Sequence, residues 1–213
     1  MRCKMAKQTN IEKICGELRN KIKSGELSAE SRIVEQDIAE EFGVSRTPIR
    51  EVIRRLSSEG ILVSVPNLGT FVKRFSLAEV REMFEIREVL EGLAFRNAVE
   101  RFDNEERSEL LKLAEVTDAA RQDGRWNEAF KFDEEFHQFI VNCCGSETLK
   151  QELAKFNFQT SLIRADLSRV APRIKRRKIT VTHRELAQAV NDPIKAENLM
   201  RKHIAGLARW LFG

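Results

Sequence analysis

The chain of 213 residues holds three histidines, His137, His183 and His203, and each falls on the apolar side of a stretch with helical periodicity. His137 aligns with Phe130 and Ile140, His183 with Leu186 and Val190, and His203 with Leu199 and Leu207, so all three are expected to face one bundle interior. Asp133 stands four residues before His137, which places carboxylate and imidazole on one helix face. Any one of these histidines alone would be satisfied as a core residue bonded to a neighbour, and a buried carboxylate needs a partner in any case. Taken together, three imidazoles and a carboxylate make the ligand set preferred by zinc, nickel and similar divalent ions, in a bundle able to present ligands from facing helices. An octahedral ion held by four protein ligands keeps positions for water or an organic acid. Two other uses of such a set stay open: a structural zinc that only braces the bundle, and a metal-dependent hydrolase or oxygenase. No further Asp or Glu stands out as a base beside the site, which weighs against the enzyme.

A second group of residues points to nucleic acid. Ile49, Val52, Ile53 and Leu56 follow an i, i+3, i+4, i+7 pattern that commits one helix face to a core, and Arg46 and Arg50 share the opposite face. Four residues apart, they stack near the helix N-terminus, the part that enters the major groove in helix-turn-helix proteins. An arginine fork can donate two hydrogen bonds to guanine O6 and N7, while the hydroxyls of Ser45 and Thr47 can reach phosphate oxygens. Ser45 suits an N-cap, Val44 and Ile49 a hydrophobic staple, and Pro48 the first turn, so the start of this helix is well specified.

The elements that must position these side chains are also readable. A Thr9-x-x-Glu12 capping box precedes Ile11, Ile14, Leu18 and Ile22, predicting a first helix that Gly25 ends. Ile33, Val34, Ile38, Ala39 and Phe42 predict a second, which stops at Gly43 just before the arginine-bearing third. Beyond Gly60, Ile61–Val65 and Thr70–Lys73 read as an extended hairpin, a wing, with Gly69 at its tip allowing close approach to DNA. From Ser76 on, periodicity predicts helices near residues 77–100, 104–122, 126–143, 147–169, 174–191 and 194–211. The fold class is therefore mainly α, with a winged helix-turn-helix over residues 1–74 and an all-helical bundle over residues 75–213.

Charge agrees with this division. Residues 1–74 hold 14 Lys and Arg against 10 Asp and Glu, leaving 23 against 23 in the remainder, so the whole formal excess of +4 is N-terminal. The basic run Arg173, Lys175, Arg176, Arg177 and Lys178 reads as a solvated helix start. No stretch approaches the roughly 20 apolar residues a membrane span needs, and the N-terminus lacks a signal-peptide core, so a cytoplasmic protein is expected. Cys3, Cys15, Cys143 and Cys144 match no zinc-knuckle or redox spacing. The adjacent pair Cys143–Cys144 reads as two small buried groups at a helix end rather than a redox sensor.

The segment GELSAESRIVEQDIAEEFGVSRTPIREVIRRLSSEGILVSVPNLGTFV resembles the DNA-binding domain of the GntR family of bacterial transcription regulators. That resemblance implies that Arg46 and Arg50 read bases or phosphates and that Gly69 marks the wing tip. The family commonly carries an arginine near the start of the second helix, where this chain has Gln36, and a Pro-Gly where it has Ala29-Glu30. FDEEFHQFIV, THRELAQAV and DPIKAENLMRKHI are similar to ligand motifs of the FCD effector domain of the FadR-like subgroup. In metal-binding members the corresponding Asp-x-x-x-His and two later histidines hold the ion, which implicates Asp133, His137, His183 and His203. EIREVLEGLAF resembles the first effector-domain helix, whose arginine, here Arg87, commonly faces the ligand cavity, and an inward arginine could clamp a carboxylate. The resemblance implies a homodimer on a palindromic DNA operator, with operator binding modulated by a small carboxylate at the ion.

Overall fold

In the computed structural model, the backbone is described for residues 2–170 and 181–212, and side chains for residues 10–163 and 181–208. The predicted basic run at residues 173–178 lies outside the described residues. Two compact units divide the chain: one comprises residues up to Ser76 with the part of α7 from Phe158 on, the other Leu77–Asn157 with the C-terminal elements.

The first unit contains α1 (Arg2–Ser24), β1 (Arg32–Ile33), α2 (Glu35–Phe42), α3 (Arg46–Ser58), β2 (Leu62–Val65) and β3 (Gly69–Val72). Helix α1 begins well before the Thr9-x-x-Glu12 box, which lies inside the helix instead of starting it. Helix α2 ends where Gly43 takes the left-handed conformation, φ 62°, a geometry open to glycine without a Cβ penalty. Ile33 was expected in this helix but sits in a two-residue strand, because β1 pairs antiparallel with β3 and completes a three-stranded sheet of order β1-β3-β2. Apolar residues at helical spacing, Ile14, Leu18, Ile38, Ile49, Val52 and Leu56, close into one core with Ile61, Leu62 and Val72 from the wing. Leu162 of α7 joins that core and Phe158 packs against it. Gln159 Nε2 donates to the Glu59 carbonyl at 2.9 Å, which ties the same stretch of α7 to the end of α3.

All described elements of the second unit are helical: α4 (Leu77–Val99), α5 (Asn104–Gln122), α6 (Trp126–Cys143), the first part of α7 (Glu147–Val170), α8 (His183–Ala187) and α9 (Pro193–Phe212). Asp103 starts α5 with a reciprocal capping box to Glu106, and Thr182 starts α8 with another to Glu185. The helix expected over residues 174–191 is, within the described residues, only the five-residue α8. Helix α4 packs on α9 and α6, α5 on α6 and α8, and α8 on α9. These contacts bring the faces bearing Arg87, Asp133, His137, His183 and His203 to one buried place. Among the described residues no helix is long and apolar enough to cross a membrane.

Candidate metal centre and DNA-reading surface

The face of α6 that enters the core carries Ala129, Asp133, Phe136, His137 and Ile140, so the i, i+4 pair Asp133 and His137 is buried with it. The capping box at Thr182 fixes the entry of α8 and places His183 at its first position, fully buried. Helix α9 supplies His203, also fully buried. One ligand atom from each of Asp133, His137, His183 and His203 lies within 4.8 Å of all the others. Ligand atoms about 2.1 Å from one ion stand roughly 3 to 4.2 Å apart, so adjustments of a few tenths of an ångström would let all four share it.

The outward ring nitrogens explain why the inward ones suit a cation. His183 Nδ1 lies 3.0 Å from Asp118 Oδ1, and His203 Nδ1 lies 2.8 Å from the Val181 carbonyl. Both oxygens can only accept, so each Nδ1 carries a hydrogen and each Nε2 is left to face inward. His137 Nδ1 sits 2.7 Å from Glu91 Oε2, close enough for an ion pair but off the line of a straight hydrogen bond. The buried Nε2 atoms of His137 and His203 have no hydrogen-bond partner among the described residues. His183 Nε2 faces Asp133 Oδ1 at 3.1 Å, a lone pair against a carboxylate unless a proton or a cation lies between them. Three imidazoles and a carboxylate gathered here, with the Nε2 atoms of His137 and His203 unpartnered among the described residues, form a ligand set that fits a divalent ion.

Electrostatics around the ligands point the same way. Burial, then the nearby His183 and His137, hold His203 well below the ordinary imidazole range, so it is neutral and able to ligate at pH 7. Burial alone would raise the Glu91 carboxyl, but Arg87 and then His137 outweigh it and bring it down to about 2. For Asp118 the burial penalty is outweighed by the His183 bond, and the carboxyl is lowered. Arg87 is buried and donates through Nε to Glu91 Oε1 at 2.8 Å, so its fork is committed to the carboxylate that flanks His137. Arg121, in the last turn of α5, donates from Nη2 to Asp133 Oδ1. Glu91, Asp118 and Arg121 thus surround the four ligands, and none was singled out from the sequence. Their signals were faint: Arg87 and Glu91 at i, i+4, and Asp118 and Arg121 beside the buried Thr117 of α5.

In the first unit, Ser45, Arg46, Thr47 and Arg50 are all exposed along the start of α3. Ser45 occupies the N-cap position, but its side chain makes no capping bond. Glu35 Oε2 accepts from Arg46 Nη2 at 2.8 Å and from Arg50 Nε at 3.0 Å, so one carboxylate aligns both guanidiniums. The Arg46 bond, helped by the Arg50 bond, holds the Glu35 carboxyl below its usual range. Gln36, beside it, is exposed and donates to Glu40 Oε1 at 2.7 Å. Gly69 is the first residue of β3, with φ 117°, and a Cβ there would come within 3.3 Å of the Arg32 side chain. The tip itself is Asn67, with φ 63°, and the exposed Leu68.

A winged helix-turn-helix joined to an all-helical domain with a buried His/Asp cluster is the architecture of a bacterial transcriptional regulator. Residues 10–72 match the model of the bacterial regulatory proteins of the gntR family, and residues 82–206, more than half of the chain, match the FCD domain. The chain belongs to the GntR family of bacterial transcriptional regulators and carries an FCD domain; the family's members are regulators of transcription and not enzymes. It is 32% identical over 142 residues to an HTH-type transcriptional regulator, YdhC, of Bacillus subtilis (strain 168), a stretch covering 66% of this chain and 63% of that one. The Nta operon transcriptional regulator of Aminobacter aminovorans is 34% identical over 118 residues, or 55% of this chain and 56% of its own length. The matched stretches therefore span less than two thirds of either relative. Among solved structures, Escherichia coli McbR/YncC superposes with a TM-score of 0.67 at 20% identity, covering 96% of this chain and 99% of that one. A GntR regulator from Rhodococcus sp. RHA1 superposes with a TM-score of 0.68 at 20% identity, covering 95% and 98%; both show the same fold.

Proposed function

We propose that this regulator binds a palindromic operator as a homodimer, and that a small carboxylate bound beside a divalent ion in the helical domain sets its grip on DNA. The observation that carries the reading is that one ligand atom each of Asp133, His137, His183 and His203 lies within 4.8 Å of all the others in a buried site, with the Nε2 atoms of His137 and His203 unpartnered among the described residues. Asp133, His137, His183 and His203 would hold the ion, zinc or nickel, which supplies a Lewis-acidic centre for an acid's oxygens. Asp118, Glu91 and the Val181 carbonyl orient the imidazoles. Arg87 acts on the effector pocket through Glu91, the carboxylate it holds against His137. In the first unit, Arg46 and Arg50 read the major groove, Ser45 and Thr47 contact phosphates, and the wing from Gly69 lies against the backbone. A twofold dimer would set two α3 helices one DNA turn apart, and the protein would work in the cytoplasm.

A purely structural ion is the second reading, favoured by the complete burial of the site. One experiment separates them: operator binding of the metal-loaded and EDTA-treated protein with a panel of short mono- and dicarboxylates. The sensing reading expects at least one acid to shift operator affinity in the loaded protein only. Melting of the domain by EDTA, with no acid ever changing operator affinity, would leave the structural reading.

A further inference from the structure

We propose that Arg121, which donates to Asp133 at the edge of the cluster, is the effector's carboxylate anchor and meets an incoming acid where Asp133 serves as an ion ligand. This rests on the reading of Asp133, His137, His183 and His203 as ion ligands and adds to it the residue that recognises the acid.

The two guanidiniums near the cluster differ in what they are committed to. Arg87 is only 3% exposed, bonded to Glu91 through Nε, and stacked with its charge 5.2 Å from the Phe84 ring centre. Moving it would strand the buried Glu91 carboxylate, a costly change. Arg121 is 12% exposed at the side chain, and Asp133 Oδ1 is the sole hydrogen-bond acceptor of its guanidinium among the described residues. A guanidinium has five N–H donors, so most of this fork is uncommitted at the edge of the ligand set. The one oxygen it touches, Asp133 Oδ1, is also the oxygen 3.1 Å from His183 Nε2, and so belongs to the converging donor set.

Charge balance says what Arg121 would bind. Around the cluster, the carboxylates of Glu91, Asp118 and Asp133 face the guanidiniums of Arg87 and Arg121, a net charge of −1 with neutral histidines. A divalent cation turns that into +1, which a single carboxylate neutralises. With the Asp133 charge drawn to an ion, the planar fork of Arg121 matches the geometry of a carboxylate, where a neutral group would leave the positive charge buried and unbalanced. Cation and acid therefore bind in order, and each favours the other.

The test uses full-length protein with Co²⁺ as the probe ion, because its visible absorption reports coordination. Acetate serves as the probe anion and acetamide as the uncharged control. Wild type should bind Co²⁺ and then shift its spectrum saturably with acetate but not acetamide. Arg121→Gln should bind Co²⁺ at least as tightly as wild type, because a repelling charge is gone, and should lose acetate affinity by about tenfold or more. Arg121→Lys should keep the charge, lose the fork and fall between the two. A merely structural role would weaken both affinities together. Failure of wild type to bind Co²⁺ would overturn the ion reading itself. Co²⁺ binding with no acetate response in wild type, or with equal acetate affinity in wild type and Arg121→Gln, would overturn the role of Arg121 alone. Should Arg121→Gln not fold, equal acetate affinity in wild type and Arg121→Lys would overturn it.

Discussion

Replacing Asp118 tests whether the outer carboxylates tune the imidazoles. Its Oδ1 lies 3.0 Å from His183 Nδ1 and accepts the His183 backbone N–H at 3.4 Å, while Oδ2 accepts the Arg184 N–H at 3.1 Å. The residue therefore does two jobs: it fixes the tautomer and basicity of one ligand, and it satisfies two donors at the start of α8. Asp118→Asn keeps the shape and one acceptor but removes the charge that assists His183. Loss of such a partner typically lowers metal affinity about 10- to 100-fold, or roughly 1.4 to 2.8 kcal/mol. His137 and His203 keep Glu91 and the Val181 carbonyl, so binding should weaken within that range and not vanish. Asp118→Ala should weaken binding as much and also cost about 1 to 2 kcal/mol of stability, since two backbone donors lose their acceptor. Competition with a chromophoric chelator for Zn²⁺ or Ni²⁺, beside a thermal melt, reads both effects. Wild-type metal affinity in Asp118→Asn would refute the reasoning.

Three shorter predictions bear on other parts of the chain. Arg50→Ala should weaken binding to the promoter DNA beside its own gene by about 1 to 3 kcal/mol and relax base preference, as read by fluorescence anisotropy; unchanged binding would remove α3 as the reader. Leu162→Ala should destabilise the DNA-binding unit by about 2 to 3 kcal/mol in a denaturant melt, because this nearly buried side chain fills its core; no change would show that α7 adds nothing to that core. Burial, then the Glu106 contact, pushes the Cys143 thiol up to about 11, so about one molecule in a thousand carries the thiolate at pH 8. Alkylation of Cys143, mapped by mass spectrometry, should be slow there and climb about tenfold per pH unit until near 11. Fast modification at pH 8 would restore a redox role.

What the sequence could show depended on how local its cause was. Helices α5 and α6 have the expected bounds, since a cap at Asp103 and a left-handed Gly124, φ 73°, punctuate them within a few residues. The four candidate ligands were legible because three histidines on apolar faces are rare enough to read together. Ile33 was misplaced because its pairing with Thr70 of β3 is nonlocal and outweighs a helical pattern. The Thr9 box failed because a start signal does not prevent a helix from beginning earlier. Glu91, Asp118 and Arg121 escaped notice for a similar reason: Asp118 meets His183 65 residues away, a proximity that only the packing of α5 on α8 creates. The part of α7 from Phe158 on, which completes the core of a unit more than 80 residues upstream, carries no local mark of that use.

The central claim is that the buried His/Asp cluster controls the grip on DNA. Operator affinity should be measured by anisotropy for wild type and His203→Ala, each metal-reloaded or EDTA-treated, across a panel of short carboxylates. At least one acid should shift affinity by roughly 5- to 150-fold in reloaded wild type, and in none of the other three samples. The same operator affinity in all four samples, with every acid, would contradict it.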